Sequence, residues 1–234
     1  AANLWHHRDG SLHLAYYDDE WTVLQEFAER GPAHGYEGKL VSPREIAILA
    51  PGVVQESLKG GFWSPMEVGV DPRQAVAEIP EFLEERYGVE FRFACGATAA
   101  GAWGVRAGRE DIPANAVVVG SGVEFETLFP QEYRASGLTR CKLQMMRTPP
   151  QPGEWRMGPM LAAGLTLIHY EAFSICPSRQ KLRETYERDL AAYVEEGIHV
   201  MAAQNGFGEV VIGDSHQYGL DVSPFDEPRI DQRR

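Results

Sequence analysis

Three places in the sequence carry residue types that do chemistry. The first is Gly120-Ser121-Gly122, which follows the apolar run Val117-Val118-Val119 and opens the GxGxxG pattern of a dinucleotide-binding turn. Position 125 is Phe rather than the third glycine, and Glu124 and Glu126 stand where a helix start would receive a pyrophosphate. The primary fingerprint is therefore not here, although a glycine pair still permits close main-chain approach to a ligand. The second is Asp214-Ser215-His216. Its carboxylate and imidazole fall two residues apart, on one face of a strand. They suit a ligand-facing pair, metal ligation, or a plain hydrogen-bonded pair at a strand end. The third is a set of polar residues on two strand candidates. Lys142 and Gln144 share a face of 140–148; in 165–173, His169 and Glu171 share one face and Tyr170 takes the other. Such groups are either solvated or aimed at a ligand on the floor of a pocket. HExxH, GxSxG and GxxxxGK[ST] do not occur, so hydrolase and phosphate-loop chemistry have no support. No Cys/His metal spacing occurs, and no metal is expected.

The elements that must position these groups can be read in order. Gly10–Tyr17 alternates as a strand, and Asp18-Asp19-Glu20 then starts a helix that ends near Gly31-Pro32. Ser42-Pro43-Arg44-Glu45 is a capping box with proline at the first helical position. Residues 51–69 read as a long Gly/Pro loop. A helix from Asp71 to about Arg86 carries Pro80, which should kink it. Val89–Phe93 reads as a strand, a hairpin is expected around Trp103, and Val117–Val119 as a strand buried on both faces. The second half supplies strands at 140–148, 165–173, 199–205 and 209–218, with one helix over 178–196 and a tight turn at Gly206-Phe207-Gly208. Ala1–Trp5 reads as the tail of a helix and Ile230–Arg234 as the start of one, so both ends look like cuts through structure.

The 234 residues hold 44% hydrophobic and 24% charged side chains, an ordinary globular balance. A formal charge of -12 disfavours nucleic acid and anionic membranes as partners. No apolar run approaches the ~18 residues of a membrane span. Cys95, Cys141 and Cys176 are scattered and odd in number, which suits free thiols in a reducing cytoplasm.

Several stretches together resemble a family. Gly60-Gly61-Phe62-Trp63-Ser64-Pro65, then Val70-Asp71-Pro72-Arg73, a helix, and Gly88–Phe93 resemble the "GG…VDP…helix…GVEF" segment of flavoenzymes of the D-amino-acid-oxidase type, which include glycine and sarcosine oxidases. Val117–Gly122 resembles their later glycine-ended strand, and Arg140–Thr148 the strand after it. The stretches RCKLQMMRT, GLTLIHYEAF, GIHVMAAQNG and GDSHQYG, in this order, resemble a bacterial branch proposed to oxidise aminophosphonates.

The resemblance implies FAD-dependent oxidation of a small amine, amino acid or aminophosphonate, with the flavin carrying the redox chemistry and the protein orienting the amine. The family's strand–GxGxxG–helix would precede Ala1, and its last flavin-contacting segment would follow Arg234. FAD is thus expected in a longer enzyme and not held tightly by these 234 residues alone. The implied fold is α+β: a mostly antiparallel substrate-binding sheet with helices, plus an incomplete part of an FAD-binding α/β domain. The implied segments are 1–69 and 137–234 for the substrate side and 70–136 for the FAD side. Lys142, Gln144, His169, Tyr170 and His216 are the substrate-binding candidates, and Ala97, Gly120, Ser121 and Gly122 the cofactor-side candidates; no catalytic residue is singled out. The implied partner is a small-molecule amine, with a homodimer through exposed strand edges. Two other readings stay open: a small-molecule binding module without redox activity, and an interaction domain.

Overall fold

The structure is a computed structural model that describes residues 4–233. In chain order it contains β1 (His6–His7), β2 (Ser11–Ala15), α1 (Asp18–Arg30), β3 (Lys39–Val41), α2 (Pro43–Leu49), β4 (Gly60–Ser64), β5 (Gly69–Val70) and α3 (Pro72–Tyr87). There follow β6 (Ala97–Gly101), β7 (Gly104–Ala107), β8 (Glu110–Pro113) and α4 (Pro130–Ser136). The last part holds β9 (Arg140–Pro150), β10 (Met160–Ala162), α5 (Leu165–His169), α6 (Arg179–Asp189), α7 (Ala191–Glu195), β11 (Met201–Gln204), β12 (Glu209–Gly219) and α8 (Pro228–Asp231). The chain forms two compact units. The larger joins residues 1–78, 142–217 and 223–234, so the first and last thirds of the sequence share a body; the smaller holds 79–141 and 218–222.

The larger unit is built on a seven-stranded sheet of order β3-β4-β2-β10-β11-β12-β9. β2 and β10 run parallel, while β2–β4, β3–β4, β10–β11 and β11–β12 are antiparallel. The sheet is therefore mixed, not mostly antiparallel as the sequence suggests: β10 enters beside β2, more than a hundred residues earlier in the chain, and local patterning carries no trace of that pairing. Alternation along β2 sorts its side chains onto two layers. Leu12 and Leu14 pack with Val41, Ile46 and Leu58 under α2. Ala15 packs with Phe62 of β4 and with Val23, Leu24, Phe27, Leu167 and Leu182 on the apolar faces of α1, α5 and α6. Each fully buried leucine contributes roughly 2–3 kcal/mol.

The starts of α1 and α2 obey the sequence. Three acidic residues open α1, and Ser42 and Glu45 close the capping box on α2. Glu20 is buried; its carboxylate accepts the amides of Tyr16 and Tyr17 at 2.7 and 3.1 Å and the Tyr186 hydroxyl. Burial, then the neighbouring Glu20 charge, raises the pKa of the Tyr186 phenol. The smaller unit is simpler: β6-β7-β8 form an antiparallel meander that turns at Trp103, as its sequence suggests.

Other expectations need correction. The stretch 165–173 is not a strand but α5 followed by a 3-10 turn, Glu171–Ile175. Its LTLI run suits a buried helix as well as a strand. What selects the helix lies further along: Arg179 donates to the carbonyls of Leu167, Ile168 and Tyr170, and Arg183 to that of Ile168, satisfying the acceptors at the helix end. Residues 51–69 are not all loop, because Gly60–Ser64 is a central strand. A Cβ on Gly61 would lie 2.8 Å from the His13 carbonyl oxygen, so glycine here serves close strand packing. Val89–Phe93 is not a strand; Phe93 is exposed, and Arg92 in this stretch is engaged by Glu90 and Glu110. Val117–Val119 is likewise not a strand, with Val118 96% exposed. The helix over 178–196 breaks at Leu190 into α6 and α7. Leu4 and Trp5 are not helical, and residues 1–3 lie outside the described residues. The short helix near the other end starts at Pro228, before the expected Ile230, and Arg234 is likewise outside. Cys95, Cys141 and Cys176 are free thiols. No helix among the described residues is long and apolar enough to cross a membrane.

Candidate functional site

The helical course of 165–173 moves His169 and Tyr170 together. His169 ends α5, and Tyr170 turns extended after it, with the two rings edge-on at 5.1 Å. The ladder of β11 and β12 brings up the rest. Its register pairs Met201 with Gly213, but the next main-chain pair is His199 with Asp214, exchanging N–H···O bonds of 3.2 and 3.1 Å. One residue on β12 is thus opposed by two on the other chain segment, and Val200 is a β-bulge of the kind that re-aims neighbouring side chains. His216 stands two residues beyond Asp214, and its amide donates to the Glu196 carbonyl. The result is a cluster of three imidazoles. The His169–His199, His169–His216 and His199–His216 centroids are 3.9, 4.5 and 4.7 Å apart. Tyr170 lies edge-on to His199 at 5.4 Å, and the Asp214 carboxylate reaches within 3.6 Å of His199 and 3.9 Å of His216.

Burial dominates the electrostatics. It holds the His199 pKa down at about 3, assisted by the positive forms of His169 and His216, and lowers that of His169 as well. Burial, then the Asp214 charge, raises that of the Tyr170 phenol. Burial thus favours the neutral forms of His199 and His169, the form in which a histidine ligates or accepts.

Next to the cluster a cavity of about 390 Å³ opens among β2, β4 and the turn after α5, with Tyr170 on its wall. Its lining is largely apolar, from Phe27, Phe62, Met160, Phe173 and Met201. Ser11 and His13, two apart on β2, also line it; Ser11 Oγ and His13 Nδ1 are buried and have no hydrogen-bond partner. Burial lowers the His13 pKa to about 4, with Glu67 opposing. Glu37, Glu67 and Glu171 complete the lining. An apolar cavity with a few inward polar groups is the usual form of a small-molecule site.

The remaining sequence candidates lie elsewhere. Lys142 Nζ donates to the Phe225 carbonyl and faces Asp226 at 3.9 Å. Gln144 is buried, exchanging bonds with the Glu227 main chain at 2.8 and 3.0 Å and donating to Asp231 at 2.8 Å. Both hold segment 225–231. His199, Ser11 and His13 are additional to the residues that sequence reasoning singles out. Alternation along β2 shows that Ser11 and His13 share a face, whereas nothing local reveals the bulge that brings in His199.

In the smaller unit, Ala97 begins β6, and Gly120 precedes a turn over Ser121–Glu124 in which Ser121 Oγ donates to the Glu124 carbonyl. A Cβ on Gly120 or Gly122 would meet nothing within 4 Å, so the turn has room for close approach. It is not a pyrophosphate cradle: the Glu124 carboxylate already accepts the amides of Glu126 and Thr127 at 2.9 and 2.8 Å. This turn therefore leaves room for main-chain approach by a ligand, while the amides of Glu126 and Thr127 are not free to receive phosphates. A hollow of about 470 Å³ in the same unit includes Arg140, whose guanidinium is taken by Glu126 and by the carbonyls of Val123 and Leu220.

The fold is shared with solved structures. The chain superposes on L-proline dehydrogenase from P. horikoshii with a TM-score of 0.68 at 16% identity, over 98% of this chain and 54% of that one. Glycine oxidase from Bacillus cereus gives 0.66 at 11% identity, over 99% and 57%. The FAD-bound L-alpha-glycerophosphate oxidase from Mycoplasma pneumoniae gives 0.56 at 14% identity, over 93% and 52%. The chain spans about half the length of these structures. No curated protein matches the sequence. The model of the DAO family, FAD dependent oxidoreductase, matches residues 1–234, and the chain belongs to that family.

Proposed function

We propose that the chain is the substrate-side portion of an enzyme that oxidises a small amine, an amino acid or an aminophosphonate, using FAD held by the longer protein. The observation that carries this reading is the cavity of about 390 Å³, where Ser11 Oγ and His13 Nδ1 await partners. Three carboxylates, Glu37, Glu67 and Glu171, sit in its lining and favour a cationic ammonium. When bound, the flavin supplies the hydride acceptor. The chain's own residues bind and orient: Ser11 and His13 take the polar end of the substrate, and the phenylalanines and methionines exclude water. Tyr170 on the pocket wall, His169 beside it and His216 in the same imidazole cluster serve as further anchoring groups. Lys142 and Gln144 act from behind by holding segment 225–231, and Ala97, Gly120, Ser121 and Gly122 offer main-chain approach to the cofactor.

The test is anaerobic reduction of the flavin in the full-length enzyme by a panel of amines that includes glycine, sarcosine and aminophosphonates. Bleaching of the flavin by one class, weakened in Ser11→Ala and His13→Leu through a raised KM, is expected. Failure of every amine to reduce the flavin rejects the reading. The pre-empted amides after Gly122 favour a second one for the chain by itself, a small-molecule binding module; an amine bound without flavin would support it.

A further inference from the structure

We propose that His169, His199 and His216 form a binding site for a divalent transition-metal ion of the zinc class. One ring nitrogen from each lies within 4.8 Å of the other two. In a tetrahedral zinc site with bonds of about 2.0–2.1 Å, neighbouring ligand nitrogens stand roughly 3.4 Å apart. Rotations that move each ring by about 1 Å or less would close the set around an ion.

The buried member makes the case specific. His199 is 1% exposed, and neither of its ring nitrogens has a hydrogen-bond partner. A neutral imidazole has one N–H and one lone pair, and leaving either unmet in the interior costs about 1–3 kcal/mol. Native interiors rarely tolerate such a group without an ion, a water or a ligand that answers it. A metal answers the lone pair directly, and the buried ring cannot turn to solvent for an alternative.

His216 is already set for the role. Its Nδ1 is 3.1 Å from the Gly197 carbonyl oxygen, which can only accept. Nδ1 therefore carries the proton, and Nε2 is the lone-pair nitrogen. A ligating histidine is commonly oriented by this type of outer hydrogen bond. The Asp214 carboxylate, 3.6 Å from His199 Nε2 and 3.9 Å from His216 Nε2, brings negative charge to the place a cation would occupy. An all-imidazole set suits zinc, copper, nickel or iron rather than calcium or magnesium. Three protein nitrogens also leave one position of a tetrahedral ion open, as in sites where a metal holds water or a substrate atom. The ligands come from α5, the bulged segment before β11, and β12, so an ion would clamp three elements of the sheet-and-helix core. His169 and His216 are shared with the anchoring groups of the amine reading, but the readout here is metal binding and not turnover, so failure of one reading is distinguishable from failure of the other.

The experiment is titration of untagged, chelator-stripped protein with Co2+ and with Zn2+. Visible d–d absorption reports Co2+ geometry, calorimetry gives Zn2+ affinity, and thermal unfolding is followed with and without metal. A single equivalent bound, tetrahedral Co2+ bands and a Zn2+-dependent rise in Tm are expected. His169→Gln and His216→Gln should each weaken Zn2+ by about tenfold or more and abolish the Tm rise. His199→Ala tests the buried ligand, and circular dichroism of the apo proteins shows that each variant is folded; the two glutamine variants carry the test if His199→Ala is not. No saturable binding, or affinity unchanged in both glutamine variants, overturns the site. Binding of Ca2+ or Mg2+ in preference to Zn2+ overturns the zinc-class assignment.

Discussion

His199 and Asp214 exchange both main-chain hydrogen bonds, one register step away from the ladder that pairs Met201 with Gly213. That slip puts a buried imidazole with two unpartnered nitrogens next to a carboxylate. Replacing a buried unsatisfied polar group by an apolar one of similar shape is near neutral, because a desolvation penalty leaves with it. His199→Phe is therefore expected to leave the metal-free protein within about 1 kcal/mol of its original stability, or to raise it. Urea unfolding checks this. A loss of several kcal/mol would show that His199 makes bonds beyond its main chain.

Glu20 and Tyr186 form a second buried polar pair, packed against a glycine. A Cβ on Gly164 would lie 2.3 Å from Glu20 Oε1 and 2.4 Å from the Tyr186 hydroxyl. Gly164→Ala must push the pair apart, and is expected to cost more than Tyr186→Phe, which removes one of three donors to Glu20 and costs about 1–3 kcal/mol. Equal stabilities of wild type and Gly164→Ala in chemical denaturation would contradict the crowding.

His13 gives the stability a pH dependence of definite sign. Its folded pKa is about 4 against an ordinary 6.5, through burial. The unfolded chain therefore takes up the proton first as pH falls, so the stabilisation is complete above about pH 6.5 and is lost progressively toward pH 4. Between pH 7 and pH 5 the loss from this one group amounts to roughly 2 kcal/mol. His13→Leu should flatten the slope over that interval. Parallel slopes for the two proteins would show that His13 is solvated.

Local signals made some of this architecture legible. Acidic residues at Asp18–Glu20, the Ser42/Glu45 box and the alternation in 209–218 mark α1, α2 and β12, because each depends on residues within a turn or two. The stretch 165–173 carries the same kind of local signal for a strand, yet it is helical. The groups that complete α5 are the guanidiniums of Arg179 and Arg183, an interaction that periodicity does not encode. The consequence reached the site: on a strand His169 and Tyr170 would face opposite sides, whereas at the end of α5 both rings meet His199. Val117–Val119 departs from the strand its sequence suggests for the converse reason. An apolar run specifies a strand only where neighbours cover it, and Val118 stands almost fully exposed.

FAD affinity of the chain alone follows from the turn after Gly122. A pyrophosphate is held by amide N–H groups converging at a glycine-rich turn and helix start. Here the Glu124 carboxylate takes the amides of Glu126 and Thr127 and the Thr127 hydroxyl, the last at 3.0 Å. A phosphate would have to displace that carboxylate and then sit beside its charge. Glu126 adds a second negative charge, and its partner Arg140 is shared with the carbonyls of Val123 and Leu220. The formal charge of -12 adds an unfavourable background. Titration of the 234-residue protein with FAD, followed by flavin fluorescence, is therefore expected to show no saturation in the micromolar range. Glu124→Gln removes one charge and should improve binding only slightly, because the amides stay occupied by the side-chain carbonyl. Saturable micromolar binding by the wild-type chain, or flavin that stays with it through purification, would mean that other main-chain groups receive the phosphates.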